Sequence, residues 1–100
     1  MFNTEIKSEL CKEMSKNICE LRCALSLSQT ALGEKVGISR QTISQIERGE
    51  YSMSWNQFAS FELFFSLNKK SNEILIRKKL DMASLREHLD LSNVNLEISQ

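Results

Sequence analysis

The feature that most constrains the fold of this chain is where its helix-breaking residues lie. Its 100 residues contain no proline, and its three glycines, Gly33, Gly37 and Gly49, fall within one short window. Outside that window apolar residues recur at intervals of three and four, the spacing of one face of an α-helix. The sequence therefore predicts an all-α fold, a compact bundle of about five helices whose tight turns cluster around the glycines.

The segment before the glycines predicts one extended helix over residues 4–25, because a single apolar stripe runs through it without a breaker. After the glycines, Ser54 with Gln57 three residues later forms a capping box that opens another helix. That helix continues to residue 67 and carries more apolar surface than one face can bury.

Weaker signals follow in the last third of the chain. We expect a break at residues 68–71 and a further helix capped by Ser71. Ser84 with Glu87 forms a second capping box, which opens a short helix. Residues 94–98 alternate apolar and polar side chains, a weak strand signal.

Charge and hydropathy exclude several classes of protein. The chain has 13 basic and 13 acidic residues, and a net charge of zero argues against a nonspecific coat for polyanions, though not against a local basic face. No apolar run approaches the roughly 20 residues that span a bilayer. Residues 1–7 show no export signal, so we expect a cytoplasmic protein without a membrane partner.

The cysteines and the histidine do not suggest catalysis. An odd count of cysteines, Cys11, Cys19 and Cys23, without an export signal predicts reduced thiols. Cys19 and Cys23 share a helix face, but two thiolates do not close a tetrahedral shell, so we expect buried small hydrophobes and no metal. His88 has no nearby nucleophile and no phosphate-cradling glycine loop exists, which predicts no catalytic residue, no cofactor and no enzyme.

The glycine-rich window predicts two short helices, over residues 29–36 and 40–48, with Ser28 and Ser39 as their N-caps. Gly37 suits the left-handed position that ends the first helix. Gly33 costs about 0.5–1 kcal/mol inside a helix, a penalty that is tolerated where another helix backbone passes close by. Two short helices joined in this way have the geometry of a helix-turn-helix, whose second helix enters a DNA major groove.

The second helix of this pair has two distinct faces. At about 100° per residue, Ile43 and Ile46 lie opposite a polar face. That face carries Arg40, Gln41, Ser44, Gln45 and Arg48. Glutamine can pair with adenine and arginine with guanine in the major groove. The angular pattern alone also fits a polar surface helix in a bundle that binds no DNA.

Leu21-Arg22 and residues 27–49, LSQTALGEKVGISRQTISQIERG, resemble the Cro/cI-type (XRE, lambda-repressor-like) helix-turn-helix family of phage and bacterial regulators. The resemblance covers residues 16–66. It implies a DNA-binding domain over residues 16–68, preceded by a helical extension at 1–15. Residues 69–100 would form a helical extension and tail for dimerisation or a partner.

The resemblance also implies roles for individual residues. The base contacts would come from Arg40, Gln41, Ser44 and Gln45. For phosphate the resemblance implies Gln29, and the hydroxyls of residues 51 and 52 can also donate; the full set of candidate phosphate contacts is Ser28, Gln29, Thr42, Arg48, Tyr51 and Ser52. Arg22 and Glu47 would form a structural ion pair that locks the fold. The sequence departs from the family where Ser26 replaces a glycine, and where residues 50–53 lack the usual cation and proline.

The neutral charge and the acidic loop favour a dimer, since one protomer gains little electrostatic affinity for DNA. A candidate interface is the surplus apolar surface formed by Ala59, Leu63, Phe64 and Leu67. Alternatively, the terminal helices cover this surface within one chain. A two-fold dimer would place two recognition helices about 34 Å apart on a palindromic site.

These observations predict a sequence-specific transcriptional regulator, a repressor for example, that reads double-stranded DNA as a homodimer. The alternative is an antitoxin or accessory module whose main partner is another protein. The acidic segment at residues 81–100 would then hold that partner.

Overall fold

The fold is described from a computed structural model over residues 4–89, which form six helices and no strand. The helices are α1 (Thr4–Ala24), α2 (Gln29–Val36), α3 (Arg40–Glu47), α4 (Trp55–Leu67), α5 (Lys69–Arg77) and α6 (Met82–His88). The all-α prediction is confirmed, with six helices in place of about five. The strand signal at 94–98, and most of the partner segment at 81–100, lie outside the described residues.

Helix α1 is unbroken, as its apolar stripe predicts, and it packs against α3, α4 and α5. Met14, Ile18 and Leu21 on this stripe are fully buried. Because the same helix contacts both α3 and the aromatic helix α4, it fixes their relative position. The central pair of helices is therefore held from one side by α1 and from the other by α4, which contacts α2.

Helix α4 supplies the aromatic part of the core through Phe58, Phe61 and Phe65, all of them at most 2% exposed. Its predicted capping box is confirmed. The Gln57 amide donates to the Ser54 hydroxyl at 3.1 Å, and the Ser54 amide donates to Gln57 Oε1 at 2.9 Å.

The predicted starts of the last two helices are wrong. Ser71 does not cap α5, which begins at Lys69 after a one-residue break at Asn68; instead, its buried hydroxyl donates to the carbonyl of Phe65 at 2.7 Å. Ser84 does not cap α6, because that helix already begins at Met82; its hydroxyl donates to Asp81 Oδ1 at 2.6 Å. In both cases the helix begins two residues before the serine, which therefore lies inside the first turn and not at the cap.

The turn after α1 holds Ser26 in the left-handed region, at φ 56°. A side chain with a Cβ pays about 1–2 kcal/mol there, and glycine pays almost nothing. We therefore expect Ser26→Gly to raise the free energy of unfolding by about 1 kcal/mol, measured by chemical denaturation.

The control for this substitution is Ser28→Gly, at a residue with φ −74° whose hydroxyl caps α2. It should lose a few tenths of a kcal/mol. Equal effects of the two substitutions would contradict the backbone explanation.

Glu62 on α4 is an ionisable side chain inside the core, only 4% exposed. The Ser66 hydroxyl donates to its Oε2 at 3.0 Å, while Oε1 has no hydrogen-bond partner among the described residues. Burial raises the pKa of Glu62 to about 7; the negative charge of Asp81 adds to this shift and the Ser66 hydrogen bond opposes it.

This raised pKa predicts a pH-dependent stability. The protonated carboxyl is favoured in the folded state, so its contribution is complete below the ordinary pKa of 4.5 and is lost as the pH rises through about 7. Since one pKa unit equals roughly 1.4 kcal/mol, Glu62→Gln should be more stable than the wild type by about 3 kcal/mol at pH 8 and nearly equal at pH 4.5.

Denaturation of both proteins across this pH range measures the difference. The exposed Glu73→Gln on α5 is the matched control and should show no such divergence. A constant difference between Glu62→Gln and the wild type at all pH values would argue against ionisation of Glu62 as the cause.

Residues 4–89 contain no helix that combines the length and the apolar character needed for a membrane span.

Candidate nucleic-acid interface

The two short helices are set by local hydrogen bonds at their ends. The Ser28 hydroxyl accepts from the Ala31 amide at 3.0 Å, and the Ser39 hydroxyl accepts from the Thr42 amide at 3.1 Å. Gly37 ends α2 at φ 73° and ψ 32°, the left-handed conformation that its position predicts. Both N-caps and the glycine C-cap are thus confirmed, and they define a tight turn between α2 and α3.

Gly33 is the residue that lets the two helices approach. A Cβ built on it would lie 2.4 Å from the carbonyl oxygen of Ile38 and 3.4 Å from Cδ1 of Ile43. The first contact is with backbone in the turn, which cannot move aside without shifting α3. The predicted close approach at this glycine is therefore confirmed.

Helix α3 is anchored by one face and open on the other. Ile43 and Ile46 are at most 1% exposed. On the other side, Arg40 and Gln41 are exposed and Ser44 and Gln45 are half-buried. Within residues 4–89 the side chains of Arg40, Gln41 and Gln45 have no hydrogen-bond or ion-pair partner, so their donors and acceptors are available to a ligand.

Arg22 of α1 and Glu47 of α3 lie in direct contact through two hydrogen bonds. Arg22 Nε donates to Glu47 Oε2 at 2.8 Å, and Nη2 donates to Oε1 at 3.1 Å. The two side chains are only 15% and 9% exposed, and the carboxylate raises the pKa of the guanidinium further. Arg22 Nη1 also donates to the Leu27 carbonyl at 2.9 Å, which ties the turn after α1 to the same pair.

Gln29 joins this pair, a contact that sequence reasoning missed. Its Nε2 donates to Glu47 Oε1 at 3.1 Å, so Glu47 holds the start of α2 as well as α1. A phosphate at the start of α2 would therefore meet first the Ser28 hydroxyl and the free amides of the first helical turn. Only the position of Gln29 at the start of α2 could be predicted, because Glu47 lies 18 residues away in the sequence.

Arg48 is a predicted phosphate contact, but in this structure its guanidinium makes hydrogen bonds within the protein. It donates to Glu50 Oε1 at 3.0 Å and to the Ser44 hydroxyl. The guanidinium lowers the pKa of Glu50, so both groups are charged at neutral pH. Such an exposed pair contributes little to stability because solvent screens it, so a phosphate can displace Glu50 at little cost.

The remaining predicted phosphate contacts, Thr42, Tyr51 and Ser52, all carry hydroxyl groups. Thr42 accepts a hydrogen bond from the Ser39 hydroxyl at 2.9 Å, and its own hydroxyl proton remains available. Tyr51 and Ser52 are exposed on the loop after α3.

A groove of about 430 Å³ separates this loop from the N-terminal half of α1. Lys7 and Lys12 line it opposite Tyr51 and Ser52. These lysines bring positive charge to a loop that has none of its own. Sequence reasoning missed them because they lie some forty residues before the loop.

The prediction that Cys19 and Cys23 are buried is wrong. Cys11 is buried, and its thiol donates to the Ser54 carbonyl at 3.8 Å. Cys19 and Cys23 are exposed, because the buried stripe of α1 passes through Ile18 and Leu21 and leaves them outside it. The described residues contain no cluster of three metal-ligating side chains.

The predicted dimer residues on α4 differ in exposure. Leu63 and Leu67 are 61% and 75% exposed, Ala59 is exposed and Phe64 is half-buried. The other helices therefore cover the phenylalanines that face the core. They leave exposed a stripe of residues spaced four apart, Ala59, Leu63 and Leu67.

The segment that holds α2 and α3 is similar in sequence to known proteins. The family described as helix-turn-helix matches residues 19–54. A protein of Bacillus subtilis (strain 168), "Uncharacterized HTH-type transcriptional regulator YgzD", is 47% identical over 38 residues, which make up 38% of this chain and 58% of that protein. This chain thus covers a little over half the length of that relative. No solved structure matches the chain.

Proposed function

Residues 19–54 match the helix-turn-helix family, and from this premise we propose that the protein is a sequence-specific transcriptional regulator that reads the DNA major groove. Helix α3 is the recognition helix. Arg40, Gln41, Ser44 and Gln45 contact base edges, where arginine pairs with guanine and glutamine with adenine. The homologous segment of a protein named as a transcriptional regulator supports this proposal.

The open face of α3 is the observation that carries the proposal. Three of its long polar side chains have no partner among the described residues, while its opposite face is rigidly anchored by two buried isoleucines. A surface that serves only solubility does not need long hydrogen-bonding groups held on a fixed helix. A helix that reads bases needs such groups, because bidentate pairing requires a defined position for each side chain.

The phosphate contacts fix this helix on the duplex. Ser28 and the free amides at the start of α2 bind one phosphate, since the N-terminus of a helix favours an anion. Thr42, Arg48, Tyr51 and Ser52 bind the backbone on the other side of α3. Because the chain has no net charge and residues 50–53 carry no cation, each protomer binds DNA with modest affinity.

Selection of bound duplexes from a random pool at low ionic strength tests this function. We expect enriched sequences with two inverted half-sites whose centres are about one helical turn apart. Absence of enrichment, with unselected duplexes bound equally well, would contradict sequence-specific reading.

The protein acts as a homodimer through the exposed stripe of α4, formed by Ala59, Leu63 and Leu67 with Phe64 beside it. Exposed leucines at this spacing suit a second copy of the same helix. We expect a dimer at tens of micromolar in sedimentation experiments, and at least a tenfold weaker dimer for Leu63→Glu, because the carboxylate would be buried without a partner.

Ile76→Glu on α5 is the matched control, since Ile76 is 53% exposed and lies outside the stripe. It should leave the dimer intact. A wild-type monomer, or equal loss in both variants, would remove the α4 stripe as the interface.

A further inference from the structure

Two exposed thiols lie side by side at the edge of the contact between α1 and α3. The Sγ atoms of Cys19 and Cys23 are 4.0 Å apart, one helical turn from each other on α1. Both side chains are open to solvent, whereas Cys11 is buried. This pair belongs neither to the core nor to the DNA-reading face described above.

The geometry of this pair suits a bridging atom better than a disulfide. Cβ atoms one turn apart on a helix are separated by about 5–6 Å, and a disulfide needs about 3.5–4.5 Å. A third atom can bond both sulfurs after a small rotation of either exposed side chain, since two bonds of about 2.3 Å at the pyramidal angle of a trivalent atom bring the sulfurs slightly closer than the observed 4.0 Å. Partial burial and the neighbouring Cys23 raise the pKa of Cys19, so this side chain stays a protonated thiol. A thiol is oxidised less readily than a thiolate.

The pair is physically linked to the recognition helix through Arg22. The same Nη2 atom that donates to Glu47 Oε1 at 3.1 Å also donates to Cys19 Sγ at 3.6 Å. A group bonded to that sulfur competes with Arg22 for the space beside it. It therefore weakens the contact that holds the end of α3 against α1.

We propose that Cys19 and Cys23 form a dithiol site for trivalent arsenicals, and that its occupation lowers DNA affinity by displacing Arg22 from Glu47. The second part rests on the proposed function. In the reaction an arsenoxide, R–As=O, forms two As–S bonds, and the two thiol protons leave with the oxide oxygen as water. Arsenic stays trivalent and neither sulfur changes oxidation state, so no oxidant or reductant is needed.

The site is tested with phenylarsine oxide on the reduced full chain by intact mass spectrometry. We expect one adduct on the wild type and on Cys11→Ser, stable to excess monothiol and reversed by a dithiol. Cys19→Ser and Cys23→Ser should form no adduct that survives monothiol. Failure of the wild type to form the adduct, or loss of the adduct in Cys11→Ser, would overturn the site.

The link to DNA is tested with the selected duplex. We expect at least tenfold weaker binding of the wild-type adduct and unchanged binding of Cys23→Ser treated in the same way. Unchanged affinity of the adduct would overturn the link. If the untreated protein binds no duplex, the proposed function fails; the adduct must then still lower the melting temperature of the wild type, and an unchanged melting temperature would overturn the displacement of Arg22.

Discussion

Replacing Arg22 with alanine is expected to lower the free energy of unfolding by about 3–5 kcal/mol, because it leaves a largely buried carboxylate without its cation. Glu47 is only 9% exposed and keeps only the weaker hydrogen bond from Gln29 at 3.1 Å. The loss should appear as a lower denaturation midpoint with an unchanged slope, since the extent of unfolding does not change.

Lys16→Ala is the matched control for this prediction. Lys16 lies on the same helix and pairs with Glu13 at 3.3 Å, but its side chain is 64% exposed. Solvent-exposed pairs contribute about 0–1 kcal/mol, so this variant should lose little. If Arg22→Ala were no more destabilised than Lys16→Ala, the pair would not be a fold lock.

The double substitution Gln41→Ala and Gln45→Ala is expected to remove about 1–3 kcal/mol of discrimination for each lost base pairing. Neither side chain has a hydrogen-bond partner among residues 4–89, so the stability of the fold should not change. Competition between the selected duplex and a scrambled duplex measures the discrimination, and denaturation checks the fold.

Asn72→Ala on α5 serves as the control, because it removes an amide side chain outside the helix-turn-helix segment. It should leave discrimination unchanged. Retained sequence preference in the double variant would refute the base readout assigned to the two glutamines, whatever the overall affinity.

The central pair of helices was predictable because its determinants are local. Ser28 and Ser39 each cap the helix that follows them, and Gly37 occupies the left-handed position that only glycine adopts freely. Each of these features depends on residues within one turn. The pattern of neighbouring side chains is then sufficient to place both helices and the turn.

The errors arise where the outcome depends on packing and not on neighbouring residues. The helices α5 and α6 begin before Ser71 and Ser84, whose hydroxyls donate to oxygens of Phe65 and Asp81. Cys19 and Cys23 were expected to be buried, yet the face of α1 that is covered depends on distant helices.

The candidate site was predictable in its outline but not in its internal contacts. The open face of α3 follows from the angular positions of its residues. The hydrogen bond of Gln29 to Glu47 joins residues far apart in the chain, and the groove that brings Lys12 beside Tyr51 exists only in the folded bundle. A sequence pattern indicates which residues are neighbours on one helix, whereas these contacts depend on how several helices pack together.

The proposed function requires the outward face of α3 to dock on DNA. Titration of the ¹⁵N-labelled protein with the selected duplex tests this docking, with backbone amides and the side-chain amides of Gln41 and Gln45 as probes. We predict resonance changes concentrated at the start of α2 and along α3, with the largest at these glutamines. No complex at low ionic strength, or changes confined to α5 and α6, would contradict it.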